Sequence, residues 1–258
     1  MQGEKVILHI VSWLKEYADN ARVNGFIIGI SGGVDSALVA HLCARTGKDV
    51  LLLTMPIRQH NEEHERAIEQ IRSLKQKFAN VRSEEVDLTA AFESLENTYS
   101  KKVTDSLLSM ANSRSRLRMV TLYAYGQANG LLVTGTGNKV EDFGIGFYTK
   151  YGDGGVDLSP IADLTKTEVF ALAKEAGVIE TILKAKPTDG LWDKKQTDED
   201  QIGASYPELE WAMDFDGDET GLSGRQKEVL EIYRRLNRQN RHKMIPIPVC
   251  VIPDELKK

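Results

Sequence analysis

Apolar positions recur at helical spacing over residues 4–18, where Val6, Ile10, Trp13, Leu14 and Tyr17 share a face and Lys5, Glu16 and Asp19 lie elsewhere. The next pattern is different. GFIIGI (25–30) is short, continuously apolar and β-branched, which predicts a buried strand. A helix is expected over 34–46, ending near Gly47, and a second buried strand over 49–56, stopped by Pro56. Residues 61–79 form another amphipathic helix through Ala67, Ile68, Ile71, Leu74 and Phe78. RSEEVDL (82–88) is a weaker strand, a long helical region follows at 104–129, and LLVTGT (131–136) is a fourth strand. Beyond it come a loop (142–157), a helix after Thr165, a polar stretch (186–203), a helix near 223–239 and a tail with Pro246, Pro248 and Pro253. Strands that alternate with helices and are apolar throughout predict an α/β fold, a parallel sheet with helices on both faces. Such sheets bind ligands at the carboxyl ends of their strands. The places to look are therefore 31–36, 55–60 and 136–141.

Composition narrows the class of protein. The chain has 258 residues, 41% hydrophobic and 28% charged, and a formal net charge of −5. These are values of an ordinary globular domain and argue against a nucleic-acid coat. Eighteen apolar residues never run together, so no membrane span is expected. Cys43 and Cys250 form no CxxC and no metal cluster, which points to a reducing, cytoplasmic setting.

The chemistry concentrates where the first strand meets its helix. SGGVDS (31–36) offers two glycines that let backbone N–H groups face an anion, hydroxyls from Ser31 and Ser36, and a helix N-terminus. SGG by itself is also read as a tight turn with a serine cap. A Walker A loop would end in GK[ST]; here Asp35 takes the place of a cation, as suits a residue that holds Mg²⁺ beside phosphates.

GISGGVDS resembles the pyrophosphate loop of the N-type ATP pyrophosphatases. TGTGNKVED (134–142), FYTKYGDGGVDLSPIADLTKTEV (147–169), NSRSRLRM (112–119), KPTDGL (186–191), TDEDQIGASY (197–206) and RHKMIP (241–246) resemble, within that superfamily, the ammonia-dependent NAD synthetases. The resemblance implies an adenine-nucleotide alpha-hydrolase-like fold and an amidation of deamido-NAD driven by ATP. It implies ATP contacts from Gly29, Ile30, Ser31, Gly32, Gly33, Val34, Asp35, Ser36, Thr136, Lys166 and Thr188. It makes Asp35 and Glu141 the Mg²⁺ ligands, and Arg116, Lys150, Asp157, His242 and Lys243 the deamido-NAD contacts. It further implies a homodimer, a polar segment at 193–201 that closes over the nucleotides, and a single domain over 1–258 without a glutaminase, so that free ammonia is the donor.

Each residue also has a plainer reading. Asp35 suits a helix N-terminus, Thr136 and Thr188 suit turns, and Arg114, Arg116 and Arg118 suit a solvated helix face. A cation at Lys166, at a helix start, is an odd placement unless an anion stands nearby. Two departures from the family pattern are visible. One residue more separates Glu141 from Lys150, and MPIRQHNEEHERA (55–67) lacks the family's Ser and Asp residues. The rival readings are another adenylating enzyme on this fold and a nucleotide-binding module without catalysis. Paired acids at 35 and 141 argue against the second, because binding adenine needs none.

Overall fold

A computed structural model describes residues 1–58, 61–188 and 197–257. Its helices are α1 (Gly3–Ala21), α2 (Val34–Arg45), α3 (Asn61–Lys77), α4 (Thr89–Thr98), α5 (Lys101–Thr104), α6 (Leu107–Asn129), α7 (Lys166–Ala176), α8 (Glu180–Leu183), α9 (Asp198–Ile202), α10 (Tyr206–Asp214) and α11 (Gly224–Met244). Its strands are β1 (Gly25–Gly29), β2 (Asp49–Thr54), β3 (Val81–Glu85) and β4 (Leu131–Val133). All strand pairs are parallel, in the order β3-β2-β1-β4. The four strands thus stand where the apolar runs place them.

The continuous apolarity of the strands is explained by burial on both sides. Phe26, Ile28, Val50 and Leu52 pack with α1, α2 and α7. Ile27, Leu51 and Leu53 turn the other way and pack with Phe92 of α4, Met110 of α6 and neighbouring residues. A third cluster joins Val140 and Ile145 to α10 and α11 through Tyr206, Leu209, Ala212, Val229 and Leu230. It holds the far end of the chain against the loop that follows β4.

Three expectations need correction. Residues 142–145 are not loop; with Val140 and Glu141 they form a π-helical turn, Val140–Ile145. An i→i+5 turn holds one residue more than an α-turn. The region 104–129 is not one helix: a break at Asp105 and Ser106 separates α5 from α6, and Ser106 accepts from the N–H of Ser109 as an N-cap. The helix expected at 223–239 runs on to Met244, so His242 and Lys243 belong to its last turn, where cations suit the dipole. Residues 246–253 form neither helix nor strand, as suits their prolines. Asp189 to Leu191 of KPTDGL, residues 193–196 of the polar run, and residues 59 and 60 lie outside the described residues.

One core residue makes stability depend on pH. His41 of α2 is 1% exposed, packs edge-on against Phe78, and has no hydrogen-bond partner at either ring nitrogen among the described residues. Burial first, then the charges of Lys77 and Arg45, pushes its pKa down to about 4. An unfolded histidine takes its proton near pH 6.5. As pH falls from there towards 4 the unfolded chain binds a proton that the native one refuses, so stability is lost on acidification. The expected contribution is about 3 kcal/mol across that window. His41→Leu should flatten the dependence of melting temperature on pH between 6.5 and 4; an unchanged slope would exonerate the imidazole.

Candidate active site

The strand order sets the position of the site. The chain leaves β1 towards β2 on one side, while β4 flanks β1 on the other, so the order in which strands are laid down reverses between β1 and β4. A crevice opens at such a switch point beyond the carboxyl ends of the strands. The loop after β1 and the segment after β4 both end there. They enclose a cavity of ≈ 260 Å³. Gly29, Ile30, Ser31, Gly32, Gly33, Val34, Asp35, Ser36, Thr136, Glu141, Lys166 and Thr188 all line it. The residues assigned to ATP and metal, scattered over more than 150 positions, are brought to one wall.

Local chemistry shapes the loop. Gly32 has φ +85°, and a Cβ there would meet the Glu63 carbonyl oxygen at 2.4 Å. Only glycine permits both the turn and the close passage of α3. The Gly33 N–H donates to Ser31 Oγ at 3.2 Å, the two serine hydroxyls stand 3.1 Å apart, and Ser36 Oγ donates to the Gly33 carbonyl at 3.1 Å. The hydroxyls thereby hold the loop in shape and stand at the cavity wall.

Lys166 answers the question of its placement. It opens α7 behind a Thr165–Glu168 capping box and is 3% exposed. Its ammonium donates to Asp35 Oδ2 at 2.7 Å and to Glu141 Oε1 at 3.0 Å. Burial pulls its pKa down, but the carboxylates of Asp35 and Glu141 outweigh it and hold the ammonium protonated above the ordinary lysine value. A cation at the positive end of a helix is tolerable because two anions face it.

Several contributors carry no obvious signal in the sequence. Asn138 is fully buried; its amide donates to Asp35 Oδ1 at 3.1 Å, and its carbonyl oxygen accepts from the N–H of Val140 (3.1 Å) and of Glu141 (3.2 Å). One side chain therefore ties the Asp35 carboxylate to the backbone that carries Glu141. The Tyr206 hydroxyl donates to Glu141 Oε1 at 2.6 Å, and its ring lies 4.7 Å from the Lys166 ammonium. Burial, then the Glu141 and Asp198 carboxylates, drives that phenol far above its ordinary pKa, so it stays a donor. Asp142 lies so close to Gly137 that a Cβ there would meet its oxygens at 2.2 Å. Burial first, then Glu141, Asp153 and Asp35, pushes its pKa up to about 8. Asp153 of YGDGG also lines the cavity, held by Ser115 Oγ at 2.6 Å and by the Thr149 N–H at 3.0 Å. Asn138 and Tyr206 do lie within GNKVE and GASY, but neither spacing announces what the side chain reaches.

The residues assigned to deamido-NAD stand apart from this cavity wall. Arg116 Nε donates to the Lys150 carbonyl at 3.2 Å, and Lys150 Nζ to the His242 carbonyl at 2.8 Å. His242 Nδ1 lies 3.2 Å from the Gln239 carbonyl, and Lys243 Nζ donates to the carbonyls of Gly146 (2.5 Å) and Tyr148 (2.7 Å). These four link α6, the 146–157 segment and α11. Asp157 is separate: it accepts from the Val133 N–H at 2.8 Å and from the Tyr123 hydroxyl at 3.0 Å, at the edge of the sheet.

A parallel sheet with a phosphate-type loop at its switch point and paired acids opposite is the architecture of the adenine-nucleotide alpha-hydrolase-like proteins. The NAD synthase family matches residues 6–246. The chain is 39% identical to an NH(3)-dependent NAD(+) synthetase from Finegoldia magna over 211 residues, 81% of this chain and 84% of that one. It is 37% identical to one from Carboxydothermus hydrogenoformans, across 91% and 92% of the two chains. Among solved structures it is similar to an NMN synthetase from Francisella tularensis, with a TM-score of 0.84 and 31% identity over 98% of this chain and 99% of that one. An NH3-dependent NAD synthetase from Campylobacter jejuni follows, with a TM-score of 0.79 and 26% identity over 97% and 100%. The chain belongs to the NAD synthase family.

Proposed function

We propose that this chain amidates deamido-NAD to NAD, with ATP as co-substrate and ammonia as nitrogen donor, releasing AMP and pyrophosphate. The observation that carries the reading is the convergence of Asp35 and Glu141 on a single cation beside the SGGVDS loop. The substrate carboxylate attacks the α-phosphate of ATP; a carboxylate–phosphorus bond forms, the bond to the β-phosphate breaks, and pyrophosphate leaves with its electron pair. The ammonia lone pair then attacks the adenylated carbonyl, AMP leaves, and the nitrogen loses its extra proton to water. The chain's share is mainly positioning and charge stabilisation. Asn138 and Tyr206 hold the two acids in place, and the SGGVDS loop supplies the cavity wall on which the phosphates would lie.

Mg²⁺ suits the donor set. Among the described residues no three His, Cys, Asp or Glu side chains cluster as a ready-made metal cage. Two carboxylates within reach of one cation are nonetheless what Mg²⁺ uses when substrate phosphates supply the remaining oxygens. Asp35 and Glu141 would hold it, and it would neutralise phosphate charge. A homodimer is supported by Leu107, Leu108 and Val120, which α6 leaves 68%, 61% and 57% exposed. No helix of the described residues is long and apolar enough to cross a membrane. Two free cysteines, Cys43 buried and Cys250 exposed, fit a cytoplasmic setting.

A second reading, amidation of the corresponding mononucleotide, is favoured by the likeness to the NMN synthetase and by the position of Arg116, Lys150, His242 and Lys243 outside the cavity wall. The test is product analysis after mixing protein, Mg²⁺, ATP and ammonium with deamido-NAD, with nicotinate mononucleotide, and with no acceptor. NAD, AMP and pyrophosphate formed together only with deamido-NAD support the first reading. Preferential turnover of the mononucleotide replaces it with the second.

A further inference from the structure

The pyrophosphate leaving group carries several negative charges, yet the obvious cation near the loop is already engaged. Lys166 spends its ammonium on Asp35 and Glu141, and the loop's own donors are neutral. A second cation lies against the same loop. Arg66 sits on the second turn of α3, the helix whose backbone would strike a Cβ at Gly32. Its Nε donates to the Gly32 carbonyl at 3.4 Å, and its side chain lines the cavity. No carboxylate among the described residues forms an ion pair with it. Glu63, one turn earlier, receives a hydrogen bond from Thr188 Oγ1 at 3.3 Å instead. The Nε–H bond anchors one edge of the guanidinium at the loop, and among the described residues the Nη donors are left for another acceptor. A planar fork of that kind matches two phosphate oxygens at once. Arg118 also lines the cavity, but its Nε is bound to the Met55 carbonyl at the end of β2, away from the SGGVDS backbone.

We propose that Arg66 binds the β- and γ-phosphates of ATP and the pyrophosphate they become, an assignment that rests on the ATP-cleaving reading of the site. Neither motif spacing nor the resemblance places a phosphate ligand at this position. Because the contact is to phosphates that AMP lacks, its loss has a selective signature.

The experiment is calorimetric titration of the full chain, with Mg²⁺ present, by inorganic pyrophosphate and separately by AMP, for the native protein, Arg66→Gln and Arg66→Lys. The expected result is pyrophosphate affinity lowered about tenfold or more in Arg66→Gln, AMP affinity within twofold of native, and partial recovery in Arg66→Lys. The KM for ATP should rise by the same factor as pyrophosphate binding weakens. Unchanged pyrophosphate affinity, equal losses for pyrophosphate and AMP, or no pyrophosphate binding by the native chain would each overturn the assignment. A native protein that forms no amide but shows the selective loss would sink the proposed reaction and leave Arg66 as a polyphosphate ligand.

Discussion

Asp35→Asn should lower amide formation about a thousandfold, a loss of about 4 kcal/mol in transition-state stabilisation. The substitution changes one oxygen for an amide group and keeps the shape. It removes the anion that stands opposite Glu141 at the phosphate loop. The fold should survive, because Lys166 keeps its 3.0 Å contact with Glu141 and its position over the Tyr206 ring. Turnover in saturating Mg²⁺ and the melting temperature are measured on the same preparation. Near-native turnover would show that the carboxylate is only a helix-dipole partner. A melting temperature that collapses together with activity would make its role structural.

Lys166→Met should act on the fold as well as on the reaction. The side chain is buried, and methionine fills similar space without the charge. Asp35 and Glu141 are then left facing one another with no cation between them. Breaking a buried ion pair from one side costs about 3–5 kcal/mol, which in a chain of this size lowers the melting temperature by about 10 °C. Mg²⁺ added without nucleotide should restore part of that loss in the variant and do much less for the native protein. A variant that melts as the native protein does would mean that water, rather than Lys166, screens the two acids.

The outcome along the chain follows from what a local pattern can encode. GFIIGI and DVLLLT announce buried strands because both of their faces are covered, and SGGVDS announces its loop because glycine, hydroxyl and acid lie within six residues. Lys166 is half legible: a cation at a helix start implies an anion, but not which one. Asn138 and Tyr206 are not legible, since Asn138 acts only once the segment after β4 lies beside α2, and Tyr206 only once α10 packs against the π-helical turn. That turn also escapes a reading based on periods of 3.6 and 2, because its own period is neither. The last turn of α11 is hidden for another reason. Its sequence, NRQNRHKM, is almost wholly polar, and a helix end without an apolar stripe looks like a tail.

An internal counter-ion also bears on the order in which ligands arrive. With Lys166 seated between its acids, the empty protein has little unmet attraction for a free dication, which would have to settle beside an ammonium. Nucleotide alters that balance by bringing its own anionic oxygens. A dication would therefore be held best together with the nucleotide's phosphates, with Asp35 and Glu141 as its protein ligands. Lys166 meanwhile keeps both carboxylates compensated and in place.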